Sequence, residues 1–385
     1  MRRITKRITK QKFLTGLLLL SYIGMMALAN GVTPDRDFSD SENRVLGQRP
    51  GFSLHSFLNG QFISDYERYT SDQFVFRDAW IRMKTDVDRA LGKRESNGVF
   101  LGKDGYLFKQ YTSPSAADLE NRAQAIQMLD QATPGLNKYV MLAPTAVALL
   151  SDKLPAHAPV GDERADLERI RQLLPQDIRF VDIYPALYAQ REQPIFYRTD
   201  HHWTTEGAYY AYRELGSQMG IVPQSTDAFD IHQASDEFYG TLYSTSGFRH
   251  LQPDRIHLYL PKKKSSIKVS YVNEGLVSDS MYELDHLRKK DKYAIFLNGN
   301  HALIRIVTDN PTDKKLLVIK DSYANSLVPF LTEHFGEIDI VDLRYYDESV
   351  LRLVHERQYQ DMLILYNVTT FFEDPSILNL MEEIP

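Results

Sequence analysis

The chain contains no cysteine among its 385 residues. Thiol nucleophiles, cysteine metal sites and disulfide staples are therefore excluded, and an exported chain of this kind must rely on its core. Positive charge is outnumbered beyond one N-terminal cluster. Arg2, Arg3, Lys6, Arg7, Lys10 and Lys12 account for six of the 45 basic residues, and setting them aside leaves 39 against 51 acidic residues, a net of −12. That sign argues against a nucleic-acid partner. Long apolar runs are missing but for one, the 17 residues from Phe13 to Ala29 that follow the basic cluster. The run is short for a spanning helix and ends in Ala27-Leu28-Ala29, which looks like a cleavage site. Signal peptide and signal anchor both fit residues 1–30, and either way the positive end stays in the cytoplasm while the rest is exported.

What remains is globular. Hydrophobic residues make up 43% and charged residues 25%, which suits a soluble protein of one large or two modest domains. Residues 31–41 read as a polar tether. From 42 to 95 the pattern is helical, with Phe57, Phe62, Tyr66, Tyr69, Phe74 and Trp80 at helical spacings and expected in a core. Two apolar runs around Lys103-Asp104-Gly105 predict a hairpin. Helices are expected at about Ala116 to Gln131, Asp162 to Leu174 and Gly207 to Met219. Strands are expected at Lys138 to Ala143, Ile178 to Asp182, Tyr293 to Leu297, Leu303 to Val307, Leu316 to Ile319, Ile338 to Asp342 and Met362 to Tyr366. This alternation over 96–385 predicts an α/β domain with a parallel sheet flanked by helices. A more polar stretch at about 224–292, with strand-like pieces at Ile256 to Leu260 and Ile267 to Val272 and a solvated Lys262 to Lys264 run, reads as a small insertion.

The chemistry gathers at Asp200-His201-His202-Trp203. An Asp two positions before a His can receive the imidazole Nδ1 proton, leaving Nε2 as a general base. The matching nucleophile is Ser322 in Lys320-Asp321-Ser322-Tyr323, which follows the apolar strand Leu316 to Ile319. A helix is expected from Ala324 to Phe335, kinked or delayed by Pro329. A serine at such a turn keeps its N–H near a helix N-terminus, where it can stabilise an oxyanion; the plain alternative is a helix cap. Asn298-Gly299-Asn300 offers a second donor, with glycine permitting close backbone approach.

Tyr197-Arg198-Thr199-Asp200-His201-His202-Trp203 resembles the motif that names the DHHW protein family, itself similar to the SGNH-like O-acetyltransferases that modify exported polysaccharides such as alginate. The likeness extends to Glu42-Asn43-Arg44, Lys103 to Phe108, Gly240 to Ser244, Asn298 to His301 and Lys320 to Tyr323. It implies the flavodoxin-like α/β fold of SGNH hydrolases with Ser322 as nucleophile, His202 as base and Asp200 as its orienter. His201 is the rival base, but the Asp-x-His spacing and the following Trp favour His202. The chain order Asp, His, Ser is that of the alginate-type enzymes, whereas ordinary SGNH hydrolases place the serine first. Lys-Asp-Ser here replaces their Gly-Asp-Ser signature.

Three readings follow. The first is an exported or membrane-anchored serine O-acyltransferase or esterase on a cell-surface polysaccharide, needing no cofactor or metal, with a membrane-bound O-acyltransferase as possible acyl donor. The second is a non-catalytic glycan-binding scaffold on the same fold, with Trp203, Tyr209 and Tyr243 stacking on sugars or merely filling the core. The third is a metal phosphoesterase using Asp200, His201 and His202 with Asp182 or Asp321.

Overall fold

The computed structural model describes residues 2–39, 44–263 and 265–382, so Glu42, Asn43 and Lys264 of the sequence reading lie outside the described residues. The chain divides into two units, Met1–Lys93 and Arg94–Pro385.

The first unit opens with α1, Arg2–Val32. Its segment Lys12–Val32, 21 residues, is long and apolar enough to cross a membrane, reaching about 31 Å at 1.5 Å per residue against a hydrocarbon core of about 30 Å. A short turn at Leu54–Leu58 precedes α2 (Gln61–Asp72) and α3 (Arg77–Ala90). Asp72 ties the unit together: its buried carboxylate accepts from the Arg44 guanidinium and from Gly47 N–H at 2.8 Å. The hydrogen bond from Arg44 is the main reason its pKa falls to about 2. The aromatics expected in a core are not in one. Phe57, Tyr66, Phe74 and Trp80 are exposed, while Phe62 and Tyr69 are half-buried. Helical spacing placed them correctly on shared faces, but among the described residues of the unit no second layer covers those faces of α2 and α3.

In the second unit an eight-stranded sheet carries the core. In chain order, β1 (Val99–Leu101) and β2 (Leu107–Lys109) form the expected hairpin. The sheet strands are β3 (Asn137–Ala143), β4 (Arg179–Phe180), β7 (Ile267–Tyr271), β8 (Leu276–Ser278), β9 (Leu303–Thr308), β10 (Lys315–Lys320), β11 (Glu337–Val341) and β12 (Asp361–Asn367), while β5 (Phe229–Phe238) and β6 (Asp254–Pro261) pair apart from it. Across the sheet the order is β8-β7-β9-β11-β10-β12-β3-β4. From β11 to β4 every pair is parallel, with Val318 between Ile340 and Leu363. Leu316 to Ile319 have no exposed surface, as the aliphatic run predicts for a strand covered on both faces. Helices α4 (Ala116–Ala132), α5 (Glu163–Leu173) and α6 (Thr205–Met219) flank the sheet.

Three expectations are corrected. The sheet is mixed: Ile267–Tyr271, read as part of an insertion, pairs antiparallel with β9 and adds an edge with β8. Tyr293 to Leu297 is not a strand; Tyr293–Ile295 makes a 3-10 turn, and Leu297 and Asn298 turn left-handed at φ 55° each. The single helix expected from Ala324 to Phe335 is a 3-10 turn, Ser322–Ser326, followed by Val328–Leu331. Pro329 explains the break, since it has no N–H to give to the Asn325 carbonyl and its ring crowds that position.

Candidate active site

The turn that carries Ser322 forms where β10 ends. Asp321 reaches forward and across: its carboxylate accepts from Tyr323 N–H and from Asn367 N–H at the end of neighbouring β12, both at 2.9 Å. Burial pushes this carboxyl up, against those hydrogen bonds. The turn therefore starts at Ser322, whose N–H has no hydrogen-bond acceptor among the described residues. Beneath it, Lys320 is fully buried and donates to Asn300 Oδ1 at 2.7 Å, with Asp342 at 3.4 Å. Burial lowers the lysine's pKa, while Asp342 opposes the shift.

His202 comes from the loop before α6. Asp254 on β6 accepts from Arg198 N–H (2.9 Å), Thr199 N–H (2.8 Å) and Thr199 Oγ1 (2.6 Å). This shapes the bend that presents Asp200. The Asp200 Oδ1 atom accepts from His202 N–H at 3.0 Å and from His202 Nδ1–H at 2.5 Å, and Oδ2 accepts from Thr241 N–H at 2.7 Å and Thr241 Oγ1–H at 3.0 Å. Burial pushes the carboxyl up, but His201, His202 and the Thr241 N–H outweigh it and hold the group well below the ordinary range. A carboxylate can only accept, so His202 carries its proton on Nδ1 and Nε2 is left to accept from Ser322 Oγ–H at 2.8 Å.

His201 takes a different place. The single hydroxyl proton of Thr241 is used on Asp200, so its oxygen accepts from His201 Nδ1–H at 2.7 Å. Burial, and then His202, lower the His201 pKa, with Asp200 opposing. Its ring lines a cavity of about 450 Å³ together with Lys109, Thr145, Thr241 and Tyr323. It makes no hydrogen bond to Ser322.

The Asn298-Gly299-Asn300 loop is bound to the turn that carries Ser322. Leu297, Asn298 and Gly299 are left-handed in succession, at φ 55°, 55° and 88°, which is unfavourable for the two non-glycine residues. Side chains hold the shape. His286 Nε2–H donates to Asn298 Oδ1 at 2.7 Å, and Asn325 Nδ2 donates to Gly299 O and Asn300 Oδ1, both at 3.1 Å.

The other residues singled out in the sequence divide. Trp203 is fully buried, its indole N–H donating to Tyr323 O and Ser326 Oγ at 3.0 Å each. It braces the turn and cannot stack on a sugar, and Tyr209 is likewise buried. Tyr243 is half-buried, with Tyr239 4.4 Å away and Arg249 and Lys290 over its ring. Asp182 caps the following turn through Tyr184 N–H at 3.0 Å. Asp200, His201 and His202 lie within 4.8 Å of one another as a metal site would require, yet both Nδ1 atoms are committed donors. Two contributors escaped the sequence reading. Tyr293 stacks on the His202 ring at 3.7 Å and 11°, and its hydroxyl donates to Ser322 O at 3.2 Å. Gly240 packs so tightly against Asp200 that a Cβ there would stand 2.2 Å from the Asp200 Cβ. The glycine lay in a recognisable stretch; nothing local marked Tyr293.

Residues 99–341 match the family described as DHHW protein. The chain belongs to the DHHW family. Among solved structures, this DHHW chain resembles a DHHW family protein from Eubacterium siraeum at 24% identity and TM-score 0.67, over 74% of this chain and 96% of that one. It also resembles Bacillus cereus PatB1, solved with a sulfonyl adduct, at 22% identity and TM-score 0.61, over 73% and 99% of the two chains. These likenesses show a shared SGNH-like α/β fold. Among curated proteins, the probable alginate O-acetylase AlgJ of Pseudomonas syringae is 28% identical over 172 residues, 42% of this chain and 44% of that protein. The AlgJ of Pseudomonas aeruginosa is 25% identical over 189 residues, 44% and 46% of the two chains. The DHHW chain thus spans less than half the length of the curated relatives it matches.

Proposed function

We propose that this protein is an extracytoplasmic serine O-acyltransferase or esterase acting on a cell-surface polysaccharide, with Ser322 as nucleophile, His202 as general base and Asp200 as its orienter. The observation that carries this reading is the unbroken line of hydrogen bonds from Ser322 Oγ through His202 to Asp200, at 2.8 and 2.5 Å. Ser322 Oγ attacks the acyl carbonyl as His202 Nε2 takes its proton. The imidazolium is stabilised by Asp200, and the Ser322 N–H with the Asn298 to Asn300 loop faces the developing oxyanion. The proton then passes to the leaving oxygen, an acyl-serine remains, and His202 deprotonates a sugar hydroxyl or water to release it. The likeness to probable alginate O-acetylases supports a polysaccharide acceptor. The N-terminal apolar helix supports export with retention at the membrane, where a membrane-bound O-acyltransferase would supply acyl groups.

Acetyl-ester turnover and intact mass after treatment with a sulfonyl fluoride test the assignment. Wild type should turn over and gain one sulfonyl group, and Ser322→Ala should lose both, by roughly 10⁶-fold in turnover. Turnover that survives Ser322→Ala would end the serine mechanism. Chelator-sensitive turnover with equal loss in His201→Ala and His202→Ala would transfer the site to a metal. Glycan binding that persists without turnover in the wild type would leave the scaffold.

A further inference from the structure

One face of α3 has no partner among the described residues of its unit. Phe76, Trp80, Met83, Val87 and Leu91 recur every three or four residues and so form a single stripe. Their exposures are 68, 38, 56, 53 and 75%, while Thr85 on the opposite face is buried. Lys84 borders the stripe and pairs with Asp88 at 3.5 Å, while Arg82 and Arg89 lie with Thr85 on the far face. A second aromatic row, Phe52, Phe57, Phe62 and Tyr66, runs along and before α2 with ring centroids 5.2 to 6.5 Å apart. Soluble proteins rarely leave this much aliphatic and aromatic surface open.

The start of α3 is fixed to the end of the apolar helix. Val75 N–H donates to Asn30 Oδ1 at 2.9 Å. Arg36 and Gln73 exchange two hydrogen bonds, from Arg36 N–H to Gln73 Oε1 at 2.9 Å and from Gln73 Nε2 to Arg36 O at 2.8 Å. Phe76, the first residue of the stripe, is therefore one residue from a bond to the last turn of α1. If Lys12–Val32 crosses a bilayer, the stripe begins at the level where the chain leaves it.

From this we infer that α3 lies in the interfacial plane of the extracytoplasmic leaflet, with its stripe in the headgroup and acyl boundary. The inference rests on the anchored form of the function proposed above. The side-chain types are those of interfacial helices: aromatic and flexible apolar residues inward, with Lys84 beside them and Arg82 and Arg89 on the water-facing side. A second copy of the chain would also cover the stripe, but would not explain why it starts at the exit point of the span. The consequence is positional: the first unit would be held flat on the membrane instead of hanging free on a tether.

The chain holds two tryptophans, and Trp203 is fully buried, so Trp80 reports this surface. The full-length protein is reconstituted into phosphatidylcholine vesicles, with and without bromines on the acyl chains, then floated and its emission read. The protein should float, and brominated lipid should quench most of the Trp80 emission, with the quenching abolished in Trp80→Phe. Protein that floats without quenching would overturn the interfacial helix and leave the anchor standing. Protein that stays at the bottom of the gradient would overturn both. Unquenched Trp80 in a dimer that persists on dilution would give the stripe to a second copy.

Discussion

The indole N–H of Trp203 donates to the carbonyl of Tyr323 at 3.0 Å, across 120 residues of sequence. The same donor reaches Ser326 Oγ at 3.0 Å. Trp203 directly follows His202 and Tyr323 directly follows Ser322, so one buried side chain fixes the distance between His202 and Ser322. The Tyr323 hydroxyl answers in the opposite direction, donating to the His201 carbonyl. The fourth residue of the Asp-His-His-Trp motif is thus a spacer between two chain segments.

Trp203→Phe should keep the ring volume nearly filled but strand the buried Tyr323 carbonyl, while Ser326 Oγ keeps its bond to Tyr293. Leaving such a group unpaired costs about 1–3 kcal/mol, so thermal unfolding should shift down by several degrees. Turnover should fall further than stability alone explains, because the Ser322 to His202 contact loses its spacer. A variant with lowered melting temperature and wild-type turnover per folded molecule would show that the spacing is held elsewhere.

Tyr293 offers a sharper separation of geometry from packing. Its ring lies on His202 at 3.7 Å while its hydroxyl bonds Ser322 O and Ser326 Oγ. Tyr293→Phe keeps the stack and should retain turnover to within several-fold. Tyr293→Leu frees the imidazole to tilt, and displacement of a catalytic group by about 1 Å can cost roughly 10²-fold. The loss should appear in kcat with KM little changed. Equal effects of the two substitutions would remove the stack from the argument.

The sequence made the central strands and the pairing of Asp200, His202 and Ser322 visible for different reasons. Leu316 to Ile319 and Met362 to Leu365 are unbroken apolar runs, which only a strand covered on both faces requires. The proposed triad became visible through a motif in which local spacing has a chemical meaning. Tyr293 did not, because its contact with His202 is made by tertiary packing alone. Leu297 hid the end of its segment: an aliphatic residue in an apolar run reads as strand, and its left-handed backbone is imposed by the loop that His286 and Asn325 hold. The aromatics of 52–80 showed their helices but not what their outer faces meet, since periodicity records a face and not its partner.

Glu163 gives a pH dependence. Burial pushes its carboxyl up from an ordinary 4.5 to about 7, against hydrogen bonds from Thr145 N–H and Oγ1 at 2.7 and 2.6 Å. Its folded-state value is raised, so the stabilisation is full below about 4.5 and is lost as pH rises through 7. The loss amounts to roughly 3 kcal/mol between those limits. Glu163→Gln mimics the protonated form and should flatten the decline in melting temperature between pH 5 and 8. A decline of unchanged slope in that variant would show that Glu163 is not its source.

Gly240→Ala tests whether the position of Asp200 matters beyond its charge. The Gly240 backbone, at φ −83° and ψ −165°, is open to any residue, so alanine brings no conformational strain of its own. What it brings is a methyl group 2.2 Å from Asp200 Cβ and 2.3 Å from Asp200 Oδ2. The aspartate must move, and in moving it gives up the Thr241 N–H and hydroxyl that fix its second oxygen. The carboxylate remains ionised, so a purely electrostatic role would survive while the orientation of His202 would not. Turnover should therefore fall by roughly 10²–10³-fold, approaching the loss of about 10⁴-fold expected of Asp200→Asn. Combining the two substitutions should cost little more than Asp200→Asn alone, because both act on one unit. Circular dichroism on each variant checks that the fold persists. Wild-type turnover in Gly240→Ala would mean that His202 is oriented without Asp200.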